Sequence, residues 1–209
     1  MEKTFMEAMD FRHACKIFDD TKKVSDEDIS YILEAGRKSP SSFGMEPWKF
    51  LVITNDDLKE KLKPFCWNQP QITTCSHLVI ILAVIDAVKP ESGEVERKFK
   101  RREMPQDKLD FYMGLYASHL SNTLSSDEKI YSWTAKQTYI AMGNMMTAAA
   151  IKGIDSCPIE GFEKENVEKV LNLDLSKYQV SCILPFGYRL NEQSLQLRET
   201  QKDVVEFIK

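Results

Sequence analysis

The chain has 209 residues, 43% of them hydrophobic, with a formal net charge of -4 and a pI near 5.5. Its length suits a substantial buried core in one domain over 1–209, and its acidic balance argues against nucleic acid as the main partner, because phosphate binding leaves a basic footprint. Met1 to Asp10 lacks the unbroken apolar stretch of a signal peptide, and the longest apolar run, Leu78 to Ile85, falls short of the roughly 20 residues a bilayer span needs; a cytoplasmic protein without a membrane partner is expected.

In chain order, Arg12-His13-Ala14-Cys15-Lys16 sets two cations in a short polar stretch, suited to an anion such as phosphate. A helix end or surface ion pair reads equally from these residues alone, and His13 equally as a packed histidine. Ser25 with Asp28 resembles a capping box, and Ile29, Ile32 and Leu33 recur at helical spacing before Arg37 and Lys38. Ser39-Pro40-Ser41-Ser42-Phe43-Gly44 then forms a hydroxyl-rich loop: Pro40 ends the helix, and Gly44 admits close approach of a backbone or a flat ring. The loop feeds a strand from Trp48 to Thr54.

Asp57 to Lys63 reads as a short charged helix, and Asn68 and Gln71 follow as amides at helical spacing that ordinarily satisfy local backbone. Leu78 to Ile85 is a strand covered on both faces and central in a sheet. From about 89 to 132 a charged helical excursion is expected, with Arg97, Lys98, Lys100, Arg101 and Arg102 on a solvated face. Trp133 to Lys152 is a buried helix with Met142, Met145 and Met146 in the core. Pro158-Ile159-Glu160-Gly161-Phe162 is a compact turn, either a plain connection into a helix near Glu163 or a set of backbone donors for a ligand. A strand from Gln179 to Phe186 and a short apolar segment, Val204 to Ile208, complete the reading.

Five cysteines without a CxxC pair suit reduced thiols, and three histidines without ligand spacing give no metal site. GxGxxG, GxxxxGK[ST] and GxSxG are all missing. Helices interspersed among a few apolar strands imply an α/β or α+β sheet covered by helices, with strand order open.

Taken in order, Arg12-His13, Ser39-Pro40-Ser41-Ser42 with Pro47-Trp48, Ala135-Lys136-Gln137 with Gly143-Asn144, Pro158 to Phe162, and Arg198 resemble the FMN-dependent nitroreductase family over nearly the whole chain. Cys15-Lys16 and Asp155-Ser156-Cys157 resemble its oxygen-insensitive members that activate nitroimidazoles. The resemblance implies an α+β fold with a helix-flanked mixed sheet in an intertwined homodimer, with FMN at the subunit interface. By position, Arg12, His13, Ala14, Lys16, Asn68, Gln71, Pro158, Ile159, Glu160, Gly161, Gln196 and Arg198 would serve FMN from one chain, and Pro40, Ser41, Ser42 and Gly44 from the other. Arg12 and Arg198 would hold the phosphate, and Glu160 and Gly161 would bring backbone groups near flavin N5.

Lys16 would be the catalytic cation, stabilising the reduced flavin; a unit charge about 4 Å away contributes on the order of 4 kcal/mol at an effective dielectric near 20. The activity implied is ping-pong hydride transfer from NADPH or NADH, through FMN, to a nitroaromatic or quinone. Ala14 stands where many relatives have serine, and Gln71 and Gln196 where many have lysine, which implies looser FMN retention. An FMN carrier or sensor without steady-state nicotinamide turnover, and a helical interaction module, are the readings of other classes. For Phe111, Tyr112 and Tyr116 of the excursion, a role covering the pocket is the expectation.

Overall fold

The structure is a computed structural model and describes residues 2–209. Ser25 accepts a hydrogen bond from the Asp28 amide at 3.1 Å and starts α2 (Asp26–Arg37), as its spacing predicts. Near the N-terminus lies a helix the sequence reading did not single out, α1 (Phe5–Phe11), started by a capping box between Thr4 and Glu7.

Four strands, β1 (Trp48–Ile53), β2 (His77–Val84), β3 (Asp155–Ser156) and β4 (Tyr178–Gly187), form a sheet in the order β1-β2-β4-β3. Their pairing is antiparallel throughout, from Trp48 opposite Ala83 to Asp155 opposite Gly187. The parallel component expected of a mixed sheet is confined, among the described residues, to an isolated bridge between Ala14 and Ser156. That bridge lays the 12–16 segment along the sheet beside β3.

β2 occupies the interior position that its apolar run predicts, between β1 and β4. Successive side chains leave a strand on opposite faces, so Leu78, Ile80 and Leu82 pack with Leu62, Ile72 and Val167, whereas Val79 and Ile81 meet Ile32, Met145 and Phe186. The first face is therefore covered by α3 (Asp56–Leu62), α4 (Gln71–Thr74) and, beyond the excursion, a helix over Lys164–Val170. The second is covered by α2 and by the long helix Asp127–Ile151.

The excursion contains α5 (Glu94–Lys100) and α6 (Gln106–Thr123), and the long helix, α7 (Asp127–Ile151), already starts within it under a Ser126 cap. Lys164–Val170 is α8 and Gln201–Val204 is α9. Val95, Phe99, Tyr116 and Leu120 build a third apolar cluster with Met45 and Ala83, so the excursion is packed against the loop before β1. Tyr116 departs from the expectation of an aromatic at the surface: fully buried and donating to the Val88 carbonyl at 2.5 Å, it is part of the core. Phe111 and Tyr112 stay exposed, as do Val204, Phe207 and Ile208 near the C-terminus. No helix of the described residues is long and apolar enough to cross a membrane.

Candidate functional site

α1 ends at Phe11, and Arg12 already has extended dihedrals, so the residues after it alternate like a strand. Ala14 and Lys16 face outward and Cys15 inward, where its amide donates to the Ser156 carbonyl at 3.1 Å. Arg12 and Lys16 are thus joined by an extended segment rather than a helix end.

Beneath this segment lies Asp155, its side chain 3% exposed, which the sequence reading did not place in the site. Arg189 gives it three hydrogen bonds, from the backbone amide at 2.9 Å and from Nε to its two oxygens at 2.9 and 3.1 Å, and its Nη2 makes an ion pair with it at 2.6 Å. His13 Nδ1 stands 3.6 Å from the same carboxylate, beyond hydrogen-bond reach. Burial and then the Arg189 charge hold the His13 imidazole below its ordinary pKa, against the pull of Asp155. His13 Nδ1 and Ser156 Oγ are buried polar atoms with no hydrogen-bond partner among the described residues.

Arg12, His13, Ala14, Lys16, Gln196 and Arg198 line a cavity of about 410 Å³ between this segment and the C-terminal tail. Gln196 closes one side by donating to the carbonyls of Met9 at 3.1 Å, Asp10 at 3.0 Å and Arg12. Its amide is spent on holding the tail to the end of α1. Arg198 is exposed and donates to the adjacent Leu197 carbonyl at 2.7 Å.

From the cavity a run of contacts leads to the Pro158 to Phe162 turn. Lys16 Nζ lies 3.8 Å from Cys157 Sγ, which Gln71 Nε2 approaches at 3.7 Å. Gln71 Nε2 also donates to Gln69 Oε1 at 2.9 Å, and Gln69 Nε2 donates to the Gly161 carbonyl at 2.9 Å. Burial raises the Cys157 thiol pKa, the Lys16 ammonium offsetting part of this, while Cys15 is pushed up to about 11 chiefly by burial. Burial therefore disfavours the thiolate at both positions.

Ile159 is paired with Ile183 of β4, which fixes the Pro158 to Gly161 turn to the sheet. The Glu160 carboxylate accepts from the Tyr139 hydroxyl of α7, and burial followed by this contact raises the tyrosine pKa. The amides of Glu160 and Gly161 have no acceptor among the described residues. Trp67 and Asn68 both adopt left-handed dihedrals, φ 54° and 53°, and set the Trp67 ring on Gly161. A Cβ on Gly161 would lie 2.6 Å from that ring, so any larger residue there would have to push the ring aside. Trp67, 68% exposed, is a large aromatic beside the turn that the sequence reading passed over.

The Ser39 to Gly44 loop is held elsewhere, by α7. Asn144 Nδ2 donates to Ser39 Oγ at 2.7 Å, and the Ser42 amide donates to Gln137 Oε1 at 2.8 Å. Ser41 Oγ accepts from the Glu46 amide at 2.8 Å, and Pro40 is exposed. None of Pro40, Ser41, Ser42 or Gly44 lines the cavity at Arg12. Of the anticipated residues, one chain gathers the 12–16, 68–71, 158–161 and 196–198 groups into an arc and leaves the loop outside it.

Residues 9–188 match the family model described as "Nitroreductase family". The chain is 42% identical over 218 residues to the protein named "Putative NAD(P)H nitroreductase YfkO" of Bacillus subtilis (strain 168), covering 100% of this chain and 99% of that protein. A solved structure titled "putative NAD(P)H:FMN oxidoreductase", from Staphylococcus epidermidis ATCC 12228, has a TM-score of 0.84 at 26% identity, over 100% of this chain and 98% of that one. Another, titled "putative nitroreductase in complex with FMN", from Exiguobacterium sibiricum 255-15, has a TM-score of 0.84 at 24% identity, over 99% and 98% of the two chains; it shares the fold.

Proposed function

Because this chain belongs to the nitroreductase family, we propose that it is an FMN-dependent oxidoreductase that passes hydride from NADPH or NADH to nitroaromatics or quinones in a ping-pong cycle. The observation that carries this reading is the arc itself: a cavity bordered by Arg12, Lys16 and Arg198 connects through Cys157, Gln71 and Gln69 to a turn with two unpartnered amides. Cations at one end and free backbone donors at the other suit a long ligand with an anionic tail and a polar flat head. The orphaned His13 Nδ1 and Ser156 Oγ add buried polar capacity beside the cationic end.

In this reading Arg12 and Arg198 hold the FMN phosphate, and Lys16 places its charge beside the ring system. Lys16 is kept in place by the neutral Cys157 sulfur, which takes none of its charge. Asn68, Gln71, Glu160 and Gly161 border the ring, and Trp67 offers a flat face for an electron-poor acceptor. Bound there, FMN supplies the exchange of hydride between nicotinamide and acceptor. With Gln71 buried and the Gln196 amide spent on three carbonyls, the anion is left to few donors, which favours loose retention of the cofactor.

A homodimer accounts for the loop outside the arc: Pro40, Ser41, Ser42 and Gly44 of one copy complete the site of the other. Exposed Phe5 and Met6 on α1, Ile140 on α7, and Leu195, Leu197, Phe207 and Ile208 near the C-terminus are apolar surface that a second copy covers. The whole chain then serves as one domain, its cytoplasmic setting following from its chemistry with NADPH or NADH. Adding FMN to purified protein tests the proposal: uptake giving a flavin spectrum on a dimer supports it, and a colourless protein that takes up no FMN refutes it.

A further inference from the structure

The expectation that the basic cluster of α5 is a solvated face holds for only part of it. Arg97 and Lys100 are exposed and pair with Glu94 at 2.7 Å and Glu96 at 2.6 Å on their own helix. Lys98, 9% exposed, instead donates through Nζ to the Met45 carbonyl. Arg102, just past the helix, donates through Nη2 to the Phe43 carbonyl at 2.7 Å, and Arg101 pairs with Glu46 at 3.2 Å. Three cations at one end of α5 therefore converge on three residues of the 43–46 stretch, Phe43, Met45 and Glu46.

That loop segment is one that would not hold its shape alone. Phe43, Gly44 and Glu46 have φ of 54°, 66° and 44°, and two of the three carry side chains that disfavour left-handed backbone. Within the loop, the Gly44 amide donates to the Ser41 carbonyl at 2.9 Å and the Met45 amide to the Ser42 carbonyl at 3.1 Å. Those bonds close the tight turn but leave the Phe43 and Met45 carbonyls as acceptors, and these are the two that Arg102 and Lys98 take. Burying the Lys98 ammonium is tolerable only where such an acceptor waits for it. The Arg102 guanidinium is itself fixed, lying 5.1 Å from the Phe99 ring centroid.

We infer that Lys98, Arg101 and Arg102 form a clasp that positions the Phe43–Glu46 segment, and through it the Ser41, Ser42 and Gly44 contacts offered to FMN in a second copy. The inference rests on the proposed function, which places this loop at the cofactor. These are positioning residues: Lys98 and Arg102 touch the loop backbone, Arg101 the Glu46 carboxylate, and all three act on the flavin only through the loop. The excursion and the cofactor site are thereby mechanically joined, since any shift of α5 moves the loop carbonyls it holds.

The test pairs hydrogen exchange of the apo dimer with FMN titration. Arg102→Ala and Lys98→Met should each speed exchange of the 43–46 amides and raise the FMN Kd about tenfold, the scale of one lost charge-assisted hydrogen bond. Arg102→Lys, which still presents a cation to the Phe43 carbonyl, should restore the Kd to within about twofold, and Arg97→Ala should change neither readout. Should Arg102→Ala and Lys98→Met leave loop exchange and Kd at wild-type values, the clasp is refuted. Faster loop exchange with an unchanged Kd refutes its link to the cofactor. A wild type that takes up no FMN instead defeats the proposed function, and the exchange data still decide whether the clasp holds the loop.

Discussion

Asp155→Asn removes the charge on which the 12–16 segment rests. The carboxylate is 3% exposed and accepts three hydrogen bonds from Arg189, whose side chain is 21% exposed. Hydrogen bonds to charged groups are worth about 1.5–3 kcal/mol, and breaking a fully buried ion pair costs about 3–5 kcal/mol. Asparagine keeps one carbonyl acceptor and water reaches part of the guanidinium, so a loss of about 2–3 kcal/mol is expected. Urea unfolding of the apo protein at one fixed protein concentration reads it, because a dimer's stability depends on concentration. Glu96→Gln is the control: its exposed pair with Lys100 should contribute at most about 0.5 kcal/mol. If Asp155→Asn cost no more than that control, the picture of a buried carboxylate anchoring Arg189 beneath His13 would be wrong.

Arg198→Ala should weaken FMN binding roughly 10- to 100-fold in a fluorescence titration while leaving the fold unaltered, since its guanidinium is exposed and bonds only its neighbour's carbonyl. Lys16→Ala should retain FMN but lower its reduction potential; an unchanged potential and turnover would remove Lys16 from its electrostatic role. Gly161→Ala drives a Cβ to 2.6 Å from the Trp67 ring, and overpacking of about 1–3 kcal/mol should displace that ring, seen as altered tryptophan emission. His13 and His77 are both held below their ordinary pKa of 6.5, in each case first by burial. The unfolded chain therefore takes up protons first: their contribution to stability is complete above about pH 6.5 and is lost as pH falls below it. Urea midpoints at about pH 7.5 and 5.5 should show this drop, and His13→Asn with His77→Asn should shrink it.

The layered fold was legible wherever local patterning decides structure. Ser25 with Asp28 announced α2, the unbroken run at Leu78 announced an interior strand, and the methionines of α7 lie in the core. Spacing could not report what is joined across the chain. The pairing of Asp155 with Arg189 has no local signature because the partners meet only when β3 is laid against β4. Trp67 looked like one aromatic among many, and its importance appears only with the bare Gly161 beneath it. The cations of α5 share one composition, yet Lys98 and Arg102 differ from Arg97 by where the 43–46 carbonyls stand. Charge was readable from sequence, and its partners were not.

The most direct test of the central claim is steady-state oxidation of NADPH or NADH by the FMN-loaded protein with a nitrofuran as acceptor. The account predicts sustained turnover, with many equivalents of nicotinamide consumed per flavin and initial rates that follow a ping-pong pattern. Consumption that stops at one equivalent per FMN would contradict it, leaving a flavin-binding protein that carries or senses its cofactor.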